Sequence, residues 1–112
     1  MSCIDYPRLR NKFGNEDTVR KILTIFMSDF DERLLRMSTM YSRDSRTELY
    51  RSAHALKGVA GTIYATGLQH CAASLEQAAM TQGAAESLLQ KAWENLETEA
   101  RCLRHEVSLF LS

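Results

Sequence analysis

The chain has 112 residues, of which 45% are hydrophobic and only one is proline. This length suffices for one domain, residues 1–112, whose hydrophobic core needs no disulfide or metal support. Lysine plus arginine and aspartate plus glutamate number 14 each, so no excess of positive charge favours binding to nucleic acid or to an anionic membrane.

The cysteines and the lengths of the apolar segments indicate where in the cell the protein is expected. Cys3, Cys71 and Cys102 are far apart and form no CxxC or zinc-ligand spacing, which predicts free thiols in a reducing, cytoplasmic setting. No apolar run approaches the roughly 18 residues of a membrane span. We therefore expect no direct contact with a membrane.

The first half of the sequence predicts a short helix followed by a long one. The N-terminal piece carries Ile4, Leu9 and Phe13 and ends at FGNED, where Asn15 can cap the next helix and Phe13 can pack back on it. From residue 17 to about residue 41, apolar residues recur at three- and four-residue steps, as in an amphipathic helix. These residues are Val19, Ile22, Leu23, Phe26, Phe30, Leu34, Met37 and Met40.

Ser45, followed three residues later by Glu48, predicts a capping box for a third helix. This helix should end around residues 64–67, the fourth around residues 80–83, and the fifth should run from about residue 84 to residue 110. The residues expected to face inward are Leu49, Ala53, Leu56, Ala60 and Ile63 in the third helix, Leu68, Cys71, Ala72, Leu75 and Ala79 in the fourth, and Leu88, Leu89, Trp93, Leu96, Ala100, Leu103, Val107 and Phe110 in the fifth. The fold expected is all-α: an antiparallel up-and-down four-helix bundle with a short additional N-terminal helix.

The third helix carries a strip of residues whose chemistry invites a function. Positions three, four and seven apart share a helix face. The strip consists of Tyr50, Arg51, His54, Lys57, Gly58 and Gly61. The inward residues lie on the neighbouring face, so His54 should be at or near the surface.

The two glycines of the strip each cost about 1 kcal/mol relative to alanine inside a helix. One explanation is close packing, in which small residues let a neighbouring helix approach and His54 is incidental polar surface. The other is access, in which Gly58 lets a reactive group of another protein reach the imidazole.

Imidazole suits the second explanation because it is largely neutral and nucleophilic at physiological pH. Lys57, together with Arg51 on the preceding turn, would supply positive charge to a phosphoryl group held there. If the turn after this helix lies near Ala65, Glu76 is level with His54 on the next, antiparallel helix. Glu76 could then accept the second ring N–H and fix the tautomer; without the histidine it would be interpreted as a solvated surface carboxylate.

The runs HALKG and AGTI, then Leu68, then LE at Leu75 and Glu76 resemble the signature of histidine-containing phosphotransfer (HPt) domains. That signature is roughly His-x-Leu-Lys-Gly, a small residue, an aliphatic residue followed by glycine, then Leu, and later Leu-Glu or a similar pair. The run KFGNEDTVRKILTIFMSDF is similar to the first long helix of the family. Two positions depart from the pattern, with Val59 where a small hydroxyl residue is common and Tyr64 where glycine is usual.

The resemblance implies that His54 is the phosphoacceptor, Lys57 the phosphate-stabilising lysine, Gly58 the access glycine and Glu76 the residue that bonds the imidazole. It also implies a carrier that takes a phosphoryl group from the aspartate of one receiver domain and passes it to another, with Tyr50, Gly58 and Gly61 on the docking face. The partners implied are response-regulator receiver domains and a hybrid sensor histidine kinase, and the chain itself would be a monomer.

The same resemblance implies that the chain is not a kinase, since the family has no ATP site. No cofactor is expected on this chain, and magnesium would be held by the receiver. The sequence agrees in having no GxxxxGK[ST] motif.

Two alternatives come from other classes of protein. A helical docking module could bind a receiver domain or other partner without accepting phosphate, but loss of the histidine or lysine would be its mark, and both are present. A metal enzyme could use the pairs His70–Cys71 and Cys102–His105, but their spacing matches no metal signature, so we predict surface histidines beside core cysteines and no metal site. Nucleic-acid binding has little support because no exposed aromatics are interleaved with the arginines of the last helix.

Overall fold

The computed structural model describes residues 3–81 and 86–112, and every regular element in these ranges is an α-helix. The helices are α1 (Tyr6–Phe13), α2 (Glu16–Ser42), α3 (Arg46–Thr62), α4 (Thr66–Met80) and α5 (Glu86–Leu111). The all-α prediction with a short N-terminal helix is confirmed. The predicted turn at residues 80–83 and the predicted start of the last helix at residue 84 lie largely outside the described residues.

The four long helices form a closed bundle. Residues 43–45 separate α2 from α3 and residues 63–65 separate α3 from α4, and such short turns reverse the chain. Contacts join α2 to α3, α3 to α4, α4 to α5, and α5 back to α2, while α1 packs against α2. The predicted up-and-down bundle is therefore the fold. No described helix is both long and apolar enough to span a membrane.

A side-chain hydrogen bond caps the start of α2, but none caps the start of α3. Asn15 caps α2 as predicted, and its side chain accepts from the backbone N–H of Thr18 at 2.9 Å. Ser45 precedes α3 as predicted, but its side chain makes no capping hydrogen bond, so the capping box is wrong. Asn15 is extended (φ −154°, ψ 165°), as N-cap residues usually are, whereas Ser45 has φ −82° and ψ 72°. These angles still allow a cap, because Asp5, with φ −83° and ψ 84°, accepts from the N–H of Arg8 at the start of α1.

The core contains most of the residues that the apolar stripes predict. All five inward positions of α3 are buried, from Leu49 to Ile63. Leu88 is the clear error, because its surface is 54% exposed. Its neighbour Leu89 is buried and leads the stripe that continues four and seven residues later with Trp93 and Leu96. Adjacent residues lie about 100° apart on a helix, so Leu88 is turned away from that stripe. Cys71 and Phe110 are half-buried.

The segment before α1 is fastened to α5. Glu106 accepts hydrogen bonds from the backbone N–H groups of Cys3 at 2.9 Å and Ile4 at 3.2 Å. The Ile4 side chain is buried in the core, and Phe13 is half-buried against it. The first residues described thus belong to the packed unit.

Candidate functional site

His54 lies near the middle of α3 on the side away from the core. Ala53 and Leu56 are buried on the inner face and hold the helix against the bundle. The His54 side chain is 63% exposed. The sequence prediction of a surface histidine agrees with this geometry.

The antiparallel arrangement of α3 and α4 brings Glu76 level with His54. Nδ1 of His54 lies 2.5 Å from Oε2 of Glu76, as expected for helices that turn near Ala65. Lys57, one turn further along α3, donates from Nζ to Oε1 of the same carboxylate at 2.8 Å. One carboxylate therefore joins the histidine and the lysine, and we call these three residues the His54–Glu76–Lys57 cluster.

Glu76 is buried, with a relative exposure of 7%. Among the residues that the structure describes, no other charged residue is buried. The interpretation as a solvated surface carboxylate is thus excluded. The hydrogen bond from Lys57 and then that from His54 lower the pKa of Glu76 from its usual range, and the opposing effect of burial does not cancel them. The side chain is a carboxylate at neutral pH and acts as an acceptor only.

A carboxylate facing Nδ1 selects the tautomer of a neutral imidazole. Nδ1 carries the proton and donates it to Glu76, which leaves Nε2 with a free lone pair. Nε2 is on the edge of the ring away from the carboxylate, and the ring is largely exposed. The cluster therefore presents one oriented nucleophilic nitrogen to solvent, with an ammonium group one helical turn away.

Tyr50 and Arg51 differ in their relation to the cluster. The Tyr50 ring is stacked beside the imidazole, with centroids 6.5 Å apart and planes inclined by 29°. The Arg51 side chain is exposed and forms no hydrogen bond or ion pair with any residue that the structure describes. The structure thus joins Tyr50 to the site and leaves the phosphoryl-binding role of Arg51 a prediction.

The two glycines of α3 have different surroundings. A Cβ atom at Gly58 would meet nothing within 4 Å, so close packing does not require this glycine. A Cβ atom at Gly61 would lie 2.9 Å from Nε2 of Gln69 in α4. That atom is the far end of an exposed, flexible side chain that can move aside, so packing between α3 and α4 does not by itself require Gly61, and its docking role remains a prediction. Gln69 was missed by the sequence reasoning, although the register about Ala65 that pairs His54 with Glu76 also pairs Gly61 with Gln69.

The two positions that depart from the HPt pattern lie away from the cluster chemistry. Val59 is half-buried and packs against the core. Tyr64 lies in the middle of the α3–α4 turn with a φ of 56°, the left-handed conformation that favours glycine. Its carbonyl accepts from the N–H of Asp5 at 3.0 Å, and its ring lies 5.7 Å from Nζ of Lys12. Tyr64 therefore contacts the N-terminal segment and α1.

The pairs that suggested a metal centre are dispersed. His70 and His105 are exposed, as predicted, and Cys71 is half-buried, but Cys102 is exposed, so the prediction of a core cysteine is wrong there. Burial, and then the charge of Glu99, raise the pKa of the Cys71 thiol, which disfavours the thiolate that a metal would need. Within residues 3–81 and 86–112 there is no group of three or more His, Cys, Asp or Glu residues that could hold a metal ion.

A comparison with known protein families gives a match that includes the site. The family model described as the Hpt domain matches residues 21–109, which include the whole His54–Glu76–Lys57 cluster. Neither a curated protein nor a solved structure matches the chain significantly. Because the family model covers most of the chain and the bundle carries a surface histidine on its third helix, the chain belongs to the Hpt domain family.

Proposed function

We propose that this chain is a phosphorelay carrier that accepts a phosphoryl group on His54 from the aspartate of one receiver domain and passes it to another. Members of the Hpt domain family are phosphotransfer carriers in two-component signalling. The observation that carries the proposal for this chain is the cluster itself: an exposed imidazole, oriented by a buried carboxylate, with Lys57 beside it.

The transfer step uses groups that the cluster presents. The Nε2 lone pair of His54 attacks the phosphorus of an aspartyl phosphate, and an N–P bond forms. The P–O bond to the aspartate breaks, and its electron pair leaves on the aspartate carboxylate. The second transfer is the same displacement in reverse, with the aspartate of another receiver as nucleophile.

Charge and access support the proposal in this geometry. Lys57 is 35% exposed, so its ammonium group can serve a phosphoryl group at the surface as well as Glu76. Gly58 leaves open space beside the histidine, where a receiver can approach. We assign Tyr50, Arg51 and Gly61 to the docking face around this opening.

The remaining parts of the proposal concern what the chain does not supply. The carrier needs no ATP site and no autokinase activity, because the phosphoryl group arrives from a receiver. Magnesium belongs to the acidic pocket of the receiver, and the chain works as a monomer in the cytoplasm with a hybrid sensor histidine kinase upstream.

The test is phosphoryl transfer from a panel of labelled, phosphorylated receiver domains. We expect an acid-labile, base-stable adduct on the wild-type chain, none on His54→Gln, and an undiminished one on His70→Gln, which removes another exposed histidine. If the folded wild-type chain takes no label from any donor but still binds receivers, the chain is a docking module. Label that persists on His54→Gln would refute His54 as the acceptor.

A further inference from the structure

Glu76 is an unusual partner for a surface imidazole because it is itself removed from water. The Glu76 side chain is 10% exposed, whereas that of His54 is 63% exposed. Both carboxylate oxygens are engaged, Oε2 by Nδ1 of His54 and Oε1 by Nζ of Lys57. A buried carboxylate interacts strongly with a neighbouring positive charge, because water screens the interaction poorly.

We propose that Glu76 keeps the proton on Nδ1 while Nε2 carries the phosphoryl group, so that the carrier state is a phosphoimidazolium paired with a carboxylate. This inference rests on the proposed function and adds to it the protonation state that sets the reactivity of the phosphorylated histidine.

The proton balance of the step leads to this state. Before transfer, Nδ1 holds a proton and Nε2 holds a lone pair. When that lone pair forms the N–P bond, the ring gains one positive charge, and no proton has yet left. Glu76 already faces Nδ1 and stabilises the cation, while a neutral acceptor would leave that charge uncompensated. The proton stays between Nδ1 and Oε2, and no external base takes part.

The protonation state decides how readily the phosphoryl group leaves. A phosphoimidazolium releases neutral imidazole when its N–P bond breaks. A neutral phosphoimidazole would have to release an imidazolate anion, which is a much poorer leaving group. Glu76 therefore assists transfer in both directions: it stabilises the charge that develops during attack and preserves the good leaving group for the next step.

The other charged groups around His54 do not replace Glu76 in this role. On α3, Lys57 is bonded to Glu76, and Arg51 points to no described partner. On α2, which packs against α3, Arg33 and Arg36 pair with acidic residues of their own helix. Among the described residues, Glu76 supplies the negative charge that contacts the imidazole.

The test uses phosphoramidate as phosphoryl donor, so that it depends on no receiver. The wild-type chain and Glu76→Gln, which keeps an acceptor oxygen but loses the charge, are phosphorylated and followed by ¹⁵N and ³¹P NMR. Glu48→Gln, which removes an exposed carboxylate at the start of α3, the helix that carries His54, is the control. We expect the ¹⁵N shift of Nδ1 in the phosphorylated wild type to be that of a protonated nitrogen at about pH 8.5, and that in Glu76→Gln to be that of an unprotonated one. A difference of at least one unit in the midpoint changes the protonated fraction about tenfold.

The release rate provides the second measurement. At about pH 8.5 the phosphoryl group should leave Glu76→Gln at least about tenfold more slowly than it leaves the wild type, and the two rates should converge near pH 5, where both rings are protonated. An unprotonated Nδ1 in the phosphorylated wild type would overturn the inference, whether or not the variant folds. So would equal release rates, or the absence of an adduct on Nε2. An adduct with a protonated Nδ1 that exchanges with no receiver would support this inference and contradict the proposed function.

Discussion

At the scale of single residues, Gly58 separates the requirements of folding from those of transfer. Apart from its chain neighbours and the backbone of its own helix, nothing lies within 4 Å of the position of its missing Cβ, and glycine in a helix interior costs about 1 kcal/mol relative to alanine. We predict that the free energy of unfolding of Gly58→Leu equals or exceeds that of the wild type. Phosphoryl transfer from a receiver should slow at least about tenfold, because a loss of 1.4 kcal/mol in the free energy of receiver binding suffices for that factor.

Ser108→Leu is a suitable control for Gly58→Leu. It places the same side chain on an exposed position of α5, a helix that has no contact with α3. Chemical denaturation and transfer kinetics are measured on both variants. A normal transfer rate in Gly58→Leu would show that the open space beside His54 is not used for docking.

Glu76 should make the free energy of unfolding depend on pH in the acidic range. Because its pKa is lowered in the folded chain by Lys57 and His54, the carboxylate stabilises the fold fully above the ordinary glutamate pKa of about 4.3, and this stabilisation is lost as the pH falls through the lower folded value. We predict that the free energy of unfolding falls more steeply for the wild type than for Glu76→Gln from about pH 5 downward. Parallel pH profiles from denaturation experiments would contradict this.

At the scale of elements, the α3–α4 pair shows how far the sequence predicts the site. Two helices joined by a short turn have a register that the turn fixes, so the sequence alone suffices to place His54 and Glu76 level with each other. The burial of Glu76 could not be predicted in this way, because it depends on how α4 is rotated against its other neighbours. The hydrogen bond from Lys57 in α3 to Glu76 in α4 joins two residues that are offset by about one helical turn along the bundle. The register shows which residues lie level with each other, but it does not show which side-chain conformation brings offset residues into contact.

The errors elsewhere have similar physical causes. A stripe with two adjacent leucines, Leu88 and Leu89, does not show which of them faces inward until the helix is packed. The Ser45 capping box was wrong because the pattern places Ser45 before α3 but does not fix where its hydroxyl makes a hydrogen bond.

Arg20 joins two elements far apart in sequence. Its guanidinium donates to the carbonyls of Phe110 at 3.0 Å and Leu111 at 2.8 Å, which have no partner within a helix that ends there. Charged hydrogen bonds of this kind contribute about 1.5–3 kcal/mol. We predict that Arg20→Ala lowers the free energy of unfolding by about 1–3 kcal/mol.

The control for Arg20→Ala is Arg36→Ala in the same helix. Arg36 pairs with Glu32 at the surface, where such pairs contribute about 0–1 kcal/mol. Urea denaturation of the two variants compares them directly. Equal losses of stability would mean that Arg20 acts as an ordinary surface residue.

At the scale of the whole molecule, the hydrophobic core begins earlier in the sequence than the match to the family model does. The Hpt domain match begins at residue 21, but the core also includes Ile4 and Leu9, which precede it. The segment before residue 21 is fastened by Glu106 to α5 and by the carbonyl of Tyr64 to the end of α3. The end of α3 at Thr62 is eight residues beyond His54, or about 12 Å along the helix. We infer that this segment stabilises the bundle from one end without taking part in transfer.

Leu9→Ala tests that separation. Leu9 is fully buried, and truncation of a buried leucine costs about 2–5 kcal/mol, through lost burial and the cavity that remains. Well below its unfolding temperature, the variant should still exchange phosphoryl groups with receivers at a rate within about twofold of the wild type, because 0.4 kcal/mol corresponds to that factor. Arg8→Ala, which removes an exposed neighbour on the same helix, should change neither quantity appreciably. A large fall in the transfer rate of folded Leu9→Ala would instead show that α1 holds α3 in the position that His54 needs, and the N-terminal segment would then be part of the transfer machinery.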